Sequence, residues 1–354
     1  MRRRRLALWV LAVVVGSLVA CGGEDAAKPP ANSASGGAPA SGAKGSKIGL
    51  VFDLGGRGDG SFNDAAAAGL DRAKEELGVD ARTVTAGRGG ENREEMLRLL
   101  ASEKYGLVFG VGFAFAGPIA SVARDFPDTS FGIVDAPVPA PNVVSLEFAS
   151  EQGAFLAGVA AARKSRSGRL GFVGGVETDA VRRFQAGFTA GARRIRSGVH
   201  IDVFYLTQPP DLSGFADPAR AREVARSMYQ RGADVVFHVS GGSGVGVFEA
   251  ARESSSPAVK MWAIGVDSDQ YQTAAPELRP FILTSMLKRI DKAVFDTISA
   301  FQKGEFRAGQ LRLDLASGGV ELTTSGGALH DINAELQAIR DQIIRGEINV
   351  PAAS

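Results

Sequence analysis

The sequence contains a single cysteine, Cys21, and three histidines among its 354 residues. One thiol cannot form an internal disulfide bond. His200, His238 and His330 are scattered along the chain and lie in no H-E-x-x-H or triad-like context. The sequence therefore gives no support to metal or nucleophilic chemistry, and we expect no cofactor, no metal ion and no catalytic residue.

The chain also lacks an excess of either charge. Forty lysines and arginines stand against 39 aspartates and glutamates, which gives a net charge of +1. Because binding to a polyanion is driven largely by a basic excess, nucleic acid is not expected as a partner. The chain is 45% apolar and 22% charged, so we expect a packed protein, and its length favours two domains over one.

The first 20 residues have the pattern of a secretory signal peptide. Four arginines precede an apolar stretch from Leu6 to Val15, which is shorter than a typical transmembrane helix. Small residues then lead into Cys21, and residues 18–21 (Leu-Val-Ala-Cys) resemble the bacterial lipobox, whose cysteine is lipidated after cleavage. An ordinary signal peptide followed by a chance cysteine is the alternative interpretation.

Residues 21–46 are expected to form a flexible tether. Apart from Cys21 they are mostly Ala, Gly, Ser and Pro, with almost no large side chain. Such a segment cannot bury enough apolar surface to offset its chain entropy. We therefore expect a lipid-anchored protein on the extracytoplasmic side of a membrane, in the periplasm or on the outer face of the cell.

From Lys47 onward, short apolar runs alternate with helical patterns. This alternation predicts an α/β protein with parallel sheets, and the number of strands fits two doubly wound lobes. One of the helical patterns ends just before Gly304 and consists of Leu287, Ile290, Val294 and Phe301. The predicted strands are Ile48–Phe52, Thr83–Thr85, Leu107–Val111, Phe131–Val134, Val143–Phe148, Leu170–Val173, Ile201–Tyr205, Val235–Val239 and Met261–Val266.

The loop after the first strand, FDLGGRGDGSFNDAAAAGL (52–70), raises the question of a phosphate site. Gly56, Gly58 and Gly60 do not fit G-x-G-x-x-G, because the third glycine comes one residue early, and the Gly-Lys-Ser/Thr of a P-loop is absent. Asp53 and Asp59 would also repel a phosphate. The loop is better suited to a neutral polar ligand.

Several motifs together resemble the basic membrane protein family of bacterial lipoproteins, which bind purine nucleosides for ABC transporters. The first motif is D-x-G-G-x-x-D-x-S-F-N, which begins at Asp53. The further matches, in order, are LVFGVGFAFA (107–116), FGIVDAPV (131–138), GGV followed by F-x-A-G-F-x-A-G (174–191), HVSGGSGVGVFEAA (238–251), IGVDSDQ (264–270) and LTSMLKRID (283–291).

The resemblance implies a type I periplasmic-binding-protein fold, in which two α/β lobes close on a ligand. It implies that Phe62 and Phe237 stack on a purine base and that Asp53 and Asn63 bind the base edge. The remaining expected ligand contacts are Gly242, Asp267 and Lys288 at the ribose and Asp135 as a further polar wall.

For some of these residues, core packing or simple solvation is an alternative to ligand binding. Phe62 and Phe237 belong to a set of 20 phenylalanines, most of which are expected in the core. Lys288 lies in a predicted helix start and could simply be solvated. Phe184 and Phe188 have core spacing on a helix, and we assign them to the core.

The resulting hypothesis is a monomeric, membrane-anchored solute-binding lipoprotein that delivers a purine nucleoside to an ABC permease, without catalysis. The expected N-terminal lobe comprises residues 47–148 with about 268–310, and the C-terminal lobe residues 149–267 with about 311–354. Two alternatives remain: the same fold binding a sugar or signalling compound as a sensor, and an extracytoplasmic nucleoside hydrolase.

Overall fold

The computed structural model describes residues 45–87 and 89–352, which form two α/β lobes. The signal peptide, Cys21 and most of the tether lie outside the described residues, so those interpretations stay predictions. In the part of the chain that is described, no helix is both long and apolar enough to cross a membrane.

Each lobe is built on a six-stranded sheet. The first sheet contains β1 (Lys47–Phe52), β2 (Asp80–Thr85), β3 (Leu107–Val111), β4 (Ser130–Val134), β5 (Val143–Phe148) and β11 (Gly309–Leu313). The second contains β6 (Arg169–Val176), β7 (His200–Thr207), β8 (Val235–Val239), β9 (Trp262–Asp267), β10 (Ile282–Lys288) and β12 (Val320–Leu322).

Helices connect the strands. They are α1 (Phe62–Leu77), α2 (Arg93–Ser102), α3 (Ala116–Asp125), α4 (Ser150–Lys164), α5 (Asp179–Ile195), α6 (Pro218–Gln230), α7 (Gly244–Ser254), α8 (Gln270–Thr273), α9 (Ile290–Gln302) and α10 (Asn333–Ile344). Most central strands are completely buried, as in β3, β4 and β8, because helices cover both faces of each sheet. The α/β prediction is therefore confirmed.

The two sheets have the same winding. The spatial order is β2-β1-β3-β4-β5-β11 in the first and β7-β6-β8-β9-β10-β12 in the second. All pairs are parallel except β10 with β12, which is antiparallel. The strand order reverses next to β1 in one lobe and next to β6 in the other. Ligands of such sheets bind at these switch points, beyond the carboxyl ends of the strands.

The chain returns between lobes at places that differ from the expected division. The expected division puts residues from about 268 to 310 in the N-terminal lobe, but β10 pairs with β9 in the second sheet. It puts residues from about 311 onward in the C-terminal lobe, but β11 pairs with β5 in the first sheet. Helix α9 begins only at Ile290, so Leu287 and Lys288 belong to a strand rather than to a helix start. The spacing of apolar residues around 283–294 fits both a helical and a strand repeat. Pairing with β9 makes the segment up to Lys288 a strand.

Candidate functional site

A cleft between the lobes lies at the carboxyl ends of the strands of both sheets. It encloses about 770 Å³ free of protein atoms, including open space at its mouth. The first lobe lines it with Asp53, Leu54, Asp59, Phe62, Asn63, Val111, Gly112, Phe113 and Asp135. The second lobe contributes Thr178, Ala180, Val181, Phe184, Leu212, Phe215, Val239, Gly241, Asp267 and Lys288.

Asp53 follows β1 and is held by an arginine. Arg93 of α2 donates from Nε at 2.9 Å and from Nη2 at 2.6 Å to Asp53 Oδ1. Both side chains are largely buried, at 13% and 16% exposure. The pair fixes the direction of the carboxylate, and it leaves Oδ2 without a contact to this arginine.

The glycine loop carries its own anion. Asp59 accepts hydrogen bonds from the backbone amides of Ser61 at 2.9 Å, Asn63 at 2.8 Å and Asp64 at 3.1 Å. The Asp64 carboxylate accepts from the amides of Gly58 and Gly60 at 2.7 and 2.8 Å. Because these amides at the start of α1 are the donors that would cradle a phosphate, the loop is already occupied by carboxylates. Burial raises the pKa of Asp59 despite its amide donors.

Asn63 presents an acceptor that the described protein leaves unused. The side chain is 3% exposed, and its Nδ2 donates to the Leu54 carbonyl oxygen at 3.2 Å. Its Oδ1 is shielded from solvent and accepts no hydrogen bond from the described residues. A buried unpaired acceptor costs about 1–3 kcal/mol, which a donor on a ligand would recover.

Asp135 and Lys288 join the lobes inside the cleft. Asp135 follows β4 with a left-handed φ of 71°, and Lys288 ends β10. The Lys288 ammonium donates to Asp135 Oδ2, and the two side chains are 3% and 13% exposed. The ammonium also lies 5.1 Å from the centroid of the Phe62 ring and 5.7 Å from that of Phe184. These two rings therefore flank the cation, one from each lobe.

Asp267 ends β9 with a φ of 66° and also connects the lobes. Its Oδ2 accepts a hydrogen bond from Ser61 Oγ of the first lobe at 2.7 Å. Burial raises its pKa to about 6, although the positive charge of Lys288 opposes the shift. The Ser61 hydroxyl is thus used between the lobes instead of capping α1, where no side-chain cap is formed.

A buried polar network supports this contact. Gln270 Oε1 contacts His238 Nε2 at 2.9 Å and accepts from the Val266 amide at 2.9 Å. The Gln270 Nε2 then donates to the Gly60 carbonyl oxygen of the opposite lobe at 3.3 Å. Burial lowers the pKa of His238 to about 4, so this histidine is neutral at physiological pH. It is a hydrogen-bonded core residue, as its sequence context favours.

Phe237 does not line the cleft, so the expectation that it stacks on a ligand is wrong. It is the middle residue of β8, completely buried, with its ring centroid 5.8 Å from that of Phe172 and 5.3 Å from that of Phe188. Val239, two residues further along the same strand face, reaches the cleft instead.

Other second-lobe aromatics line the cleft in its place. Phe184 on α5 is 3% exposed and packs in the core, as its spacing predicts, and it also lines the cavity. Phe215, in a short turn before α6, lines the cavity as well. Gly241 lines it, whereas Gly242 lies just outside, where an added Cβ would be 3.5 Å from Asp59 Cβ and from the Phe215 carbonyl oxygen. Phe215 stands in a loop rich in Gly, Ser and Asp just before a proline, which is the available sequence signal for it.

Six of the eight expected ligand contacts therefore meet in one cavity: Asp53, Phe62, Asn63, Asp135, Asp267 and Lys288. Four carboxylates line it, including that of Asp59, against the ammonium of Lys288 and the Arg93 guanidinium behind Asp53. This excess of acceptors disfavours an anionic ligand and suits one with hydroxyl or amine donors. In the described ranges, no group of three or more histidine, cysteine or acidic side chains is placed to hold a metal ion.

Comparison with known proteins agrees with this geometry. The ABC transporter nucleoside-binding protein BmpA of Lactococcus lactis subsp. cremoris is 33% identical over 319 residues, which cover 86% of this chain and 89% of the relative. An uncharacterized lipoprotein of Pyrococcus furiosus is 31% identical over 329 residues, covering 85% and 80%.

A solved structure, described as that of ABC transporter solute-binding proteins from Aeropyrum pernix K1, superposes with a TM-score of 0.76 at 29% identity, covering 87% of this chain and 94% of that one. The two-lobed architecture is the type I periplasmic-binding-protein fold. The model of one family, described as "Bmp: ABC transporter substrate-binding protein PnrA-like", matches residues 46–354. This chain therefore belongs to the Bmp family of PnrA-like ABC transporter substrate-binding proteins.

Proposed function

We propose that this protein binds a purine nucleoside in the cleft and delivers it to the permease of an ABC importer. The observation that carries the proposal is a single cavity in which aromatic rings from both lobes stand beside carboxylates and an unused amide acceptor. A flat base needs stacking faces, and ribose hydroxyls and base N–H groups need acceptors. The nucleoside-binding name of the Lactococcus relative supports the same ligand class.

Phe62 from the first lobe and Phe215 from the second are proposed as the stacking faces, with Phe184 beside them. Asp53 and Asn63 serve the base edge, because they lie together at the ends of β1 and α1. Asp267 and Lys288 serve the ribose, and Asp135 holds the lysine in place. We infer that the lobes close on the ligand, and the hydrogen bonds of Ser61 and Gly60 with the second lobe support this.

Titration calorimetry with inosine, guanosine, adenosine, ribose and guanosine monophosphate tests the ligand class. We expect the nucleosides to bind and ribose alone to bind far more weakly, because it lacks a base to stack. The monophosphate should also bind more weakly, because its charge would meet the carboxylates of the cleft. Equal affinity for ribose and inosine would overturn the stacking role and favour a sugar-binding sensor.

Two substitutions test the proposed faces. Phe62→Ala and Phe215→Ala should each weaken nucleoside binding by about 5- to 150-fold, which corresponds to roughly 1–3 kcal/mol per lost base–aromatic stack. Phe204→Ala is the matched control, because Phe204 is a 41% exposed ring on the edge strand β7, away from the cleft. If both cleft variants bind as well as the control, the proposed stacking is wrong.

We further propose that the chain is an extracytoplasmic monomer anchored through a lipid on Cys21, and that it is not an enzyme. Metabolic labelling with a fatty acid should mark the wild type and not Cys21→Ser. Light scattering of the purified protein should give the mass of one chain. Incubation with guanosine should release no guanine, and steady release would favour a nucleoside hydrolase.

A further inference from the structure

Two loops join the lobes beside the ligand cleft. One precedes α1 in the first lobe, and the other leads from the end of β9 into α8 in the second. Ser61 Oγ donates to Asp267 Oδ2 at 2.7 Å, and the Ser61 carbonyl oxygen accepts from Ser268 Oγ at 3.0 Å. Gln270 Nε2 donates to the Gly60 carbonyl oxygen at 3.3 Å. We name these three hydrogen bonds the interlobe latch.

The side-chain amide of Gln270 is held in one orientation. The residue is 4% exposed, and its Oε1 accepts from the Val266 amide at 2.9 Å and lies 2.9 Å from His238 Nε2. Because an amide oxygen can only accept, His238 carries its proton on Nε2. Turning the amide over would place its NH₂ group against the Val266 N–H, donor against donor. The Nε2 of Gln270 therefore points to the first lobe.

His238 is fixed in turn by its own surroundings. It is completely buried in β8, and Ser240 Oγ lies 3.3 Å from Nδ1, the ring nitrogen that remains an acceptor. Phe248 meets the ring edge to face, with the centroids 5.1 Å apart. Gly244 leaves space for the ring, because an added Cβ would lie 1.9 Å from His238 Cε1. A buried network thus runs from the core of the second lobe to a backbone oxygen of the first.

The interlobe latch is next to the proposed ligand contacts in the sequence. Asp267 belongs to the latch and also lines the cleft. Asp59 and Phe62, which line the cleft as well, directly flank Gly60 and Ser61. Formation of the latch therefore sets ligand contacts of the two lobes at a fixed distance from each other.

We propose that Gln270 is a positioning residue, oriented by His238, which stabilises the closed form of the protein and slows the escape of the ligand. The inference rests on the proposed function, in which the lobes close on a nucleoside. Neither Gln270 nor His238 lines the cleft, so both act through the fit of the lobes and not through contact with the ligand. We expect their effect on the dissociation rate, where most affinity differences between related complexes lie.

Distances between the lobes test the proposal. The chain crosses between the lobes after β5, β10 and β11, whereas the edge strands β2 and β7 lie at the other end of each sheet. A hinge opening should therefore separate β2 from β7. Thr83→Cys and Val203→Cys place spin labels at exposed positions of these strands, for double electron–electron resonance. Cys21→Ser removes the only other thiol.

Gln270→Met keeps the length of the side chain and removes the interlobe donor. The ratio of closed to open protein should fall about two- to tenfold, as for the loss of one hydrogen bond. In stopped flow, guanosine should dissociate faster by a similar factor, with no loss in the association rate. Gln302→Met is the matched control, because Gln302 Nε2 donates to the Leu77 carbonyl oxygen at the same 3.3 Å but within the first lobe. It should leave the ratio unchanged.

Two more variants separate positioning from general damage. His238→Phe keeps a buried ring without the Nε2 donor, so it should open the labelled parent protein and add nothing to Gln270→Met. Ser268→Ala removes a different donor of the latch and should also favour the open form, which keeps the latch testable if Gln270→Met does not fold. Additive effects of His238→Phe and Gln270→Met, or unchanged distances in Ser268→Ala, would overturn the proposal.

Failure of the proposed function gives a different result. If adenosine, guanosine and inosine all fail to bind, that function is wrong, and the distances in the ligand-free proteins then decide on the latch. The parent protein should populate the short distance more than Gln270→Met does. Identical distributions would overturn the latch as well, whereas a difference would support it independently of the ligand.

Discussion

Removing the buried cation from the cleft should strongly destabilise the protein. Lys288 is 3% exposed and contacts Asp135, which is 13% exposed. Lys288→Met keeps most of the side-chain bulk but leaves the Asp135 carboxylate without its partner, near the buried Asp267. Because breaking a buried pair from one side costs about 3–5 kcal/mol, we expect the free energy of unfolding to fall by that amount.

Coulomb's law gives a similar magnitude. Two unit charges about 4 Å apart attract by about 4 kcal/mol at an effective dielectric constant of 20. If this attraction is the cause, neutralising the partner should relieve much of the loss. The double variant Lys288→Met/Asp135→Asn should therefore be about 2–3 kcal/mol more stable than the sum of the two single effects predicts, within the range of couplings between contacting residues.

Urea unfolding of the ligand-free protein measures these differences, with Trp262 at the start of β9 as a fluorescent reporter of the second lobe. Lys292→Met is the matched control. It removes a lysine that pairs with Asp296 on the surface of α9, where the side chains are 42% and 51% exposed, so the loss should stay below about 1 kcal/mol. A Lys288→Met cost as small as that of the control, or strict additivity in the double variant, would refute the reasoning.

Three further predictions concern the carboxylate of Asp267, the hydroxyl of Ser61 and the packing of Gly187. Burial raises the pKa of Asp267 to about 6, so between about pH 6 and pH 4 the folded protein binds a proton that the unfolded chain does not. The stability difference between Asp267→Asn and the wild type should therefore favour the variant by up to about 3 kcal/mol more at pH 7 than at pH 4. A difference in urea unfolding that does not change with pH would contradict this. Ser61→Ala removes the interlobe hydrogen bond and should weaken nucleoside binding about tenfold in calorimetry, whereas unchanged affinity would show that closure does not depend on it. Gly187→Ala would place a Cβ 2.1 Å from a backbone carbonyl oxygen of α4 and should lower the free energy of unfolding by about 1–3 kcal/mol. The control Gly117→Ala has no neighbour within 4 Å of its added Cβ and should cause no such loss, and equal losses in the two variants would contradict the prediction.

The acidic residues of the cleft could be predicted because of where their strands end. Asp53, Asp135 and Asp267 each follow or end an apolar run, and parallel strands bring their carboxyl ends to one edge of a sheet. The side chains of Asp135 and Asp267 are then set by left-handed backbone, with φ of 71° and 66°, which aspartate tolerates better than most residues. Their position at a strand end was enough to predict that these residues lie at the cleft. Which of them contact each other could be seen only in the folded structure.

Phe237 does not follow this rule, because its expected role comes from the family resemblance and not from a strand end. The predicted strand Val235–Val239 coincides with β8, so Phe237 lies two residues before the carboxyl end of the strand. A shift of two residues keeps the side chain on the same face but moves it by about 6–7 Å, from the ligand edge into the core. Lys288 shows a different error. The sequence pattern predicts a helix start at this residue, whereas Lys288 ends strand β10 and the helix begins two residues later.

Phe184 and Phe188 show what decides whether an aromatic side chain on a helix reaches the cleft or lies wholly in the core. Both lie on the buried stripe of α5, four residues apart, and local spacing treats them alike. In a doubly wound sheet, however, each helix begins at the carboxyl edge of the strands, so the residues nearest its N-terminus are nearest the cleft. Phe184 lies one turn closer to that end and lines the cavity, whereas Phe188 packs against Phe172 and Phe237. Phe62, the first residue of α1, follows the same rule. Distance from the helix start, and not apolar periodicity alone, therefore separates the cleft-lining rings of Phe62 and Phe184 from the ring of Phe188 in this protein.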